Sequence, residues 1–202
     1  MLNVTKIVGR VLSSNMYCIR EERTSDCWIV DIGDFNELNK YIPNNANIRG
    51  LFITHGHFDH IADINVFHIN YPESIIYTSE YGVEQLYSDK KNFSLYHEKS
   101  MIFHGDMKKI EILKENDKIK LFSDVYMNVI ETSGHCPSCL TYYTDKHVFT
   151  GDSYIPGVNV VTKLPKGSKI QAKESLDRIL TLSENREVHS GHDVEKWFSY
   201  FN

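Results

Sequence analysis

The sequence predicts an α/β chain in which two packed sheets carry helices on their outer faces. Three observations point there: short β-rich runs fill both halves, helical segments lie between them, and polar turns divide the runs at close intervals. With 202 residues the chain suits one domain, expected to span residues 1–202. A fold of that length buries roughly 70% of the surface its unfolded chain exposes. It then needs no disulfide or structural metal merely to stay folded.

Val4–Val8, Met16–Arg20 and Cys27–Asp31 read as strands, the last two parted by the polar turn Glu21–Asp26. Ile48–Thr54 is a further strand, almost continuously apolar at its end, as burial on both faces requires. Ile61, Ile64, Val66 and Phe67 predict a short helix over 60–68. Ser74–Thr78 reads as a strand and Glu80–Tyr87 as a helix. Residues 88–109 are polar with scattered aromatics (Phe93, Tyr96, Phe103) and read as a lid or substrate loop. Strands are expected near 119–122, 125–131, 139–144 and 146–150. Ser168 and Gln171 form a capping box ahead of Leu176, Ile179 and Leu180, which places a helix over 169–182. A short strand Glu187–Ser190 and a terminal helix Val194–Phe201 complete the reading.

Composition excludes more than it identifies. Hydrophobic residues at 41% and charged residues at 24% describe a globular chain, too apolar to be disordered. The 22 Lys+Arg against 27 Asp+Glu leave a net charge of −5, which argues against a surface that coats nucleic acid. No apolar run approaches the ~18 residues of a membrane span, so no membrane partner is expected. The start of the chain shows no basic patch followed by an apolar block, and the four cysteines (Cys18, Cys27, Cys136, Cys139) are too few for a disulfide scaffold. A reducing, cytoplasmic setting is therefore expected, with the oligomeric state left open.

Histidine is distributed unevenly: three of the ten fall in Thr54-His55-Gly56-His57-Phe58-Asp59-His60, where an apolar strand ends and a helix begins. Residues two apart in an extended chain point the same way, so His55 and His57 can converge on one point. Asp59 and His60, one turn onward, can face a second point nearby. Imidazole and carboxylate are the ligands that borderline divalent metals prefer. Clustered histidines are otherwise surface polar residues or satisfied helix caps, but four candidate ligands in six residues form a metal signature.

Three later fragments share the form strand, tight turn, ligand: Gly134-His135, Gly151-Asp152 and Gly191-His192. A glycine before the ligand lets the backbone bend so that the side chain leaves the sheet edge. A single such pair is ordinarily just a turn. Together with the histidine cluster they bring the count to five histidines and two aspartates, enough for two ions if one carboxylate is shared.

In order and approximate spacing, His55-x-His57-x-Asp59-His60, Gly134-His135, Gly151-Asp152 and Gly191-His192 resemble the metallo-β-lactamase-fold superfamily. Asn15-x-Tyr17 and Val30-Asp31-Ile32-Gly33 look like its opening hairpin, so the likeness runs from about residue 15 to 193. Within the superfamily the chain is most similar to single-domain, glyoxalase-II-like hydrolases. The resemblance implies a four-layer αβ/βα sandwich with the site along one edge of the sheets. It implies one ion held by His55, His57 and His135, a second by Asp59, His60 and His192, and Asp152 bridging both. The implied ions are two zinc ions per chain, with iron(II) or manganese(II) as the alternative.

Two such ions sit ~3.5–4 Å apart and share a hydroxide that attacks an electrophilic carbon or phosphorus, with Asp59 helping to orient it. The reading is thus a dinuclear zinc hydrolase of a small thioester or ester. The alternative is an oxidoreductase resembling persulfide dioxygenases, with one iron on His55, His135 and Asp152. Hydrolysis of a β-lactam or lactone and nuclease action rank lower. The chain departs from the family after His135, where Cys136 and Cys139 replace two hydroxyl residues: a redox or zinc-binding pair, or simply small reduced residues packed near the site. It departs again at Val161–Ser168, where Lys163 and Lys166 could attract an anionic substrate or only solvate a loop. Tyr142, Tyr143 and Tyr154 lie close enough in sequence to the ligands to line a pocket, although strand alternation sends most such residues to the core.

Overall fold

The computed structural model describes residues 2–97 and 99–194. Its first sheet comprises β1 (Leu2–Val8), β2 (Asn15–Glu21), β3 (Asp26–Val30), β4 (Asn47–Phe52), β5 (Ile75–Thr78) and β6 (Ile110–Ile112), adjacent in that order. β2 runs antiparallel to both β1 and β3, and β3 through β6 pair in parallel. The second sheet is built from β7 (Lys118–Lys120), β8 (Tyr126–Glu131), β9 (Leu140–Tyr143), β10 (His147–Gly151) and β11 (Glu187–Ser190). Its spatial order runs β11-β10-β9-β8-β7, antiparallel except for the parallel β10–β11 pair at one edge.

Period-two alternation divides the apolar residues of the first sheet between two cores. Met16, Cys18, Cys27, Ile29 and Leu51 face one way. There they meet Leu38, Ile64, Phe67 and Leu86 from the helices α1 (Phe35–Asn39), α3 (Ile64–Asn70) and α4 (Glu80–Leu86). Tyr17, Ile19, Trp28, Val30 and Phe52 face the other way and pack on Met127, Val129, Leu140, Tyr142 and Phe149 of the second sheet. Phe52 sits at the centre, with ring centroids 5.5 Å from Trp28, 4.9 Å from Tyr77 and 5.1 Å from Tyr142. Truncating it to alanine is worth about 3–5 kcal/mol of stability. Helix α5 (Lys169–Ser183) lies beside β10 and buries Ala172, Ser175 and Ile179. The result is the expected sandwich of two mixed sheets with helices outside.

Local departures from the sequence reading have local causes. The single helix expected over 60–68 is two, α2 (Phe58–Ile61) and α3, because Asp63 leaves the helical path between them. Its backbone N–H donates to Ile32 O, and its carboxylate accepts from Phe35 N at the start of α1. Helix α1 and strand β6 span five and three residues, too short for any periodicity to reveal them. Residues 88–97 and 99–109 form a wall instead of a lid: buried Asn92 donates through its amide to Gln85 O and Met101 O. The helix expected over 194–201 falls beyond the described residues, apart from Val194. Among the described residues, no helix is long and apolar enough to cross a membrane.

Candidate metal centre

The site begins where two parallel neighbours, β3 and β4, end together. Asp31 follows β3 with φ of 59°, a left-handed conformation that is strained for a residue with a Cβ. That geometry turns its carboxylate toward the end of β4, where it accepts from Thr54 N at 2.8 Å and Thr54 Oγ1 at 2.7 Å. It also stands 2.9 Å from His60 Nδ1. Sequence reasoning assigned Asp31 no part in the site. The signal was present in Val30-Asp31-Ile32-Gly33, a charge directly after an apolar strand on the edge that carries the histidines.

Beyond Thr54 the chain is extended through His55 and His57, and His57 stands at the N-terminus of α2, which presents Asp59 and His60. The other three residues arrive from the second sheet, each at a strand end or the turn after it. Gly151 adopts φ of +50° just before Asp152. A Cβ at Gly191 would collide with Asp152 Oδ1, so the Gly-His form there serves the neighbouring aspartate as well as its own histidine.

All seven residues singled out in the sequence come together. Their ligand atoms form three overlapping groups, each within 4.8 Å: His55, His57 and His135; His55, His60 and Asp152; and Asp59, His60 and His192. Asp152 lies between the outer two. Its Oδ2 is 3.5 Å from His135 Nε2, 3.3 Å from His192 Nε2 and 4.0 Å from His55 Nε2, and its Oδ1 is 3.5 Å from His60 Nε2. Asp59 Oδ2 stands 3.3 Å from His192 Nε2 and 3.6 Å from His60 Nε2. Bonds of about 2.0–2.2 Å in a tetrahedral zinc site separate ligand atoms by roughly 3.3–3.6 Å. Most of these spacings match.

The outward nitrogens are engaged. His135 Nδ1 lies 2.8 Å from Val161 O, His192 Nδ1 2.9 Å from Leu12 O, and His55 Nδ1 3.1 Å from Thr54 Oγ1. With a proton held on Nδ1 by these acceptors and by Asp31, Nε2 is the atom that each ring turns to the interior. His57 is the exception, meeting His135 Nε2 through Nδ1 at 2.9 Å. Inside, His55 Nε2, His57 Nε2 and Asp152 Oδ1 are buried without a hydrogen-bond partner. Each such orphan costs about 1–3 kcal/mol unless a cation satisfies it. The donor set therefore fits divalent metal.

Electrostatics separate the residues. Burial, and then the charges of His60 and His57, hold His55 well below the ordinary imidazole value. Burial also opposes charge on His60 and His192, but the Asp59 and Asp152 carboxylates outweigh it. His60 is raised well above its usual value, and His192 rises to about 10. Asp152, despite the burial penalty, is pulled well below the carboxylate range by His192 and His60.

A cavity of about 590 Å³ opens beside His57, lined among others by Tyr81, Phe93, Cys136, Leu164 and Lys166. The wall formed by 88–97 and 99–109 thus supplies Phe93, whose ring centroid is 5.0 Å from that of His57. Lys166 Nζ sits 4.3 Å from the Tyr81 ring centroid, while Lys163 is exposed and does not line the cavity. Cys136 and Cys139 are free buried thiols 3.3 Å apart, and among the described residues no cysteine joins the groups that could hold a metal. Tyr142 belongs to the core between the sheets and donates to Ile53 O.

The chain is similar to a hydroxyacylglutathione hydrolase of Pseudoalteromonas translucida, 24% identical over 189 residues. That match covers 93% of this chain but 64% of the relative, so the chain spans less than two thirds of its length. In three dimensions it resembles the B3 metallo-β-lactamase BLEG-1, with a TM-score of 0.83 and 22% identity over 95% of this chain and 92% of that one. It also resembles TTHA1623, solved in a di-iron-bound form, with a TM-score of 0.75 and 22% identity over 94% and 92% of the two chains. At such identities these likenesses bear on the fold alone. A sequence model of the metallo-beta-lactamase superfamily matches residues 9–192, and the chain belongs to that superfamily.

Proposed function

We propose that this chain is a metal-dependent hydrolase that cleaves a small thioester or ester. The observation that carries the reading is the position of Asp152, whose carboxylate lies between His55 and His135 on one side and His60 and His192 on the other. In this reading His55, His57 and His135 would hold one divalent ion and Asp59, His60 and His192 a second, with Asp152 available to both. Ions held there lower the pKa of water toward ~7 and polarise a substrate carbonyl.

The chain's own residues do the rest. Asp59 is ionised, because His60 and His192 outweigh its burial penalty, and in this reading the carboxylate oxygen not spent on the ion helps to orient the attacking water. The cavity beside His57 receives the thiol or alcohol half of the substrate. Its lining of Phe93, Tyr81 and Leu164 suits a flexible apolar stem, and Lys90 and Lys166 suit an anionic end. The hydroxyacylglutathione hydrolases that it resembles are named for substrates of this form, an acylated thiol carrying carboxylates. Zinc is the proposed metal.

The test is a turnover panel on protein loaded with zinc, iron or manganese. It compares acyl thioesters with anionic and neutral thiol halves, simple esters, lactones, β-lactams and phosphodiesters. The expected result is hydrolysis of anionic thioesters that disappears with chelator. Turnover of none of the thioesters or esters would overturn the substrate class. Oxygen consumption with a persulfide on iron-loaded protein would replace hydrolysis by the dioxygenase reading.

A further inference from the structure

Outside the central cluster, the described residues contain one other group of potential metal ligands drawn together within 4.8 Å: His147, Glu187 and His189. Strand register assembles it. His147 opens β10 and Glu187 opens β11, and the two are direct partners across the parallel ladder. His189, two residues farther along β11, points to the same face. His147 Nδ1 lies 3.6 Å from Glu187 Oε2, within the spacing of tetrahedral zinc, and meets His189 Nε2 in a 3.0 Å hydrogen bond that needs to open by only a few tenths of an ångström to reach it.

The group is held on one side and open on the other. His189 is buried, stacked on Phe149 at 4.8 Å between ring centroids and edge-on to Tyr17 at 5.0 Å. His147 and Glu187 are 12% and 69% exposed, so an ion and its water can reach them. Burial above all lowers His147, and burial followed by His147 and Lys6 brings His189 down to about 4. Both rings are therefore neutral at pH 7, and two facing nitrogens between them need at most one proton. The remaining lone pairs and the Glu187 carboxylate form a donor set of the kind zinc accepts. Lys6, the cation that acts on His189, is engaged by Asp193 at 2.8 Å.

We propose that His147, Glu187 and His189 form a separate, peripheral site for a borderline divalent cation such as zinc, with water completing its coordination. Its consequence lies farther along the same two strands. β10 runs on into Asp152, and β11, which among the described residues pairs within its sheet with β10 alone, runs on into His192, itself bridged to Ser14. An ion clamping the start of both strands holds β11 against β10 and steadies the edge that delivers His192.

The experiment titrates zinc into metal-free full-length protein against a chromophoric chelator and counts ions by elemental analysis. The wild-type chain is expected to take up one equivalent more than a His147→Gln/Glu187→Gln double variant, which leaves the packed His189 ring in place. Amide exchange at 188–190 is expected to slow with zinc more in the wild type than in the variant, where only the central ions act on β11 through His192. The extra equivalent persists in an Asp152→Ala chain, so this inference survives or fails independently of the central site. Equal zinc uptake by wild type and double variant, or equal slowing of exchange in both, would overturn it.

Discussion

His55, His57 and His135 form an all-imidazole group, whereas His60 and His192 share theirs with the Asp59 carboxylate. The two groups are nearly equally buried, yet their charges diverge. His55 is held neutral by burial and by neighbouring imidazoles, while His60 and His192 are held protonated by Asp59 and Asp152. One half of the centre presents a lone pair at His55 without a proton to displace. The other must lose protons before it can take a cation. The comparison shows that ligand identity alone does not set a half-site's readiness for metal; the carboxylates around it do.

Asp152 is common to both halves, so its loss has the largest expected effect. Made in the His147→Gln/Glu187→Gln background, an Asp152→Ala chain should fall from about two ions to fewer than one. Its turnover should drop well beyond the ~10–100-fold typical of removing an outer partner of a ligand. Elemental analysis and kinetics check both, and full retention of two ions would separate Asp152 from the centre.

Next comes pH. His192 is raised to about 10 in the metal-free fold against an ordinary value near 6.5, so the stability it contributes is present below about 6.5 and is lost as pH rises toward 10. Asp59 and Asp152, both lowered, act oppositely: their contribution is present above about 3.9 and is lost as pH falls through the depressed values. Melting of chelator-treated protein should therefore fall by several degrees between pH 7 and 10, while zinc uptake at the His60 half tightens over the same range. A flat melting profile from pH 7 to 10 would erase the contrast between the halves. The smallest effect is expected from Asp31→Asn. It should weaken uptake by the His60 half about 10–100-fold and leave the His55 half unchanged, as competition titration can resolve.

The same contrast explains what the sequence could reveal. His55, His57, Asp59 and His60 lie within six residues and declare themselves by alternation and one helical turn. His135, Asp152 and His192 come from separate strand ends, and only the glycine before each, with the family likeness, marked them. Asp31 stayed hidden because its role depends on a strained backbone angle and on a strand pairing that brings it to Thr54. The strands were legible because their alternation fills two different cores, whereas α1, β6 and the break at Asp63 rest on single hydrogen bonds or a few residues. His147 and His189 are unremarkable in sequence, 42 residues apart, and meet only through the β10–β11 register.

Anomalous diffraction from crystals of the zinc-loaded chain tests the dinuclear centre most directly. The account predicts two neighbouring peaks, one among His55, His57 and His135 and one among Asp59, His60 and His192, with the Asp152 carboxylate touching both. A lone peak within that cluster, or a pair there that Asp152 does not touch, would contradict it.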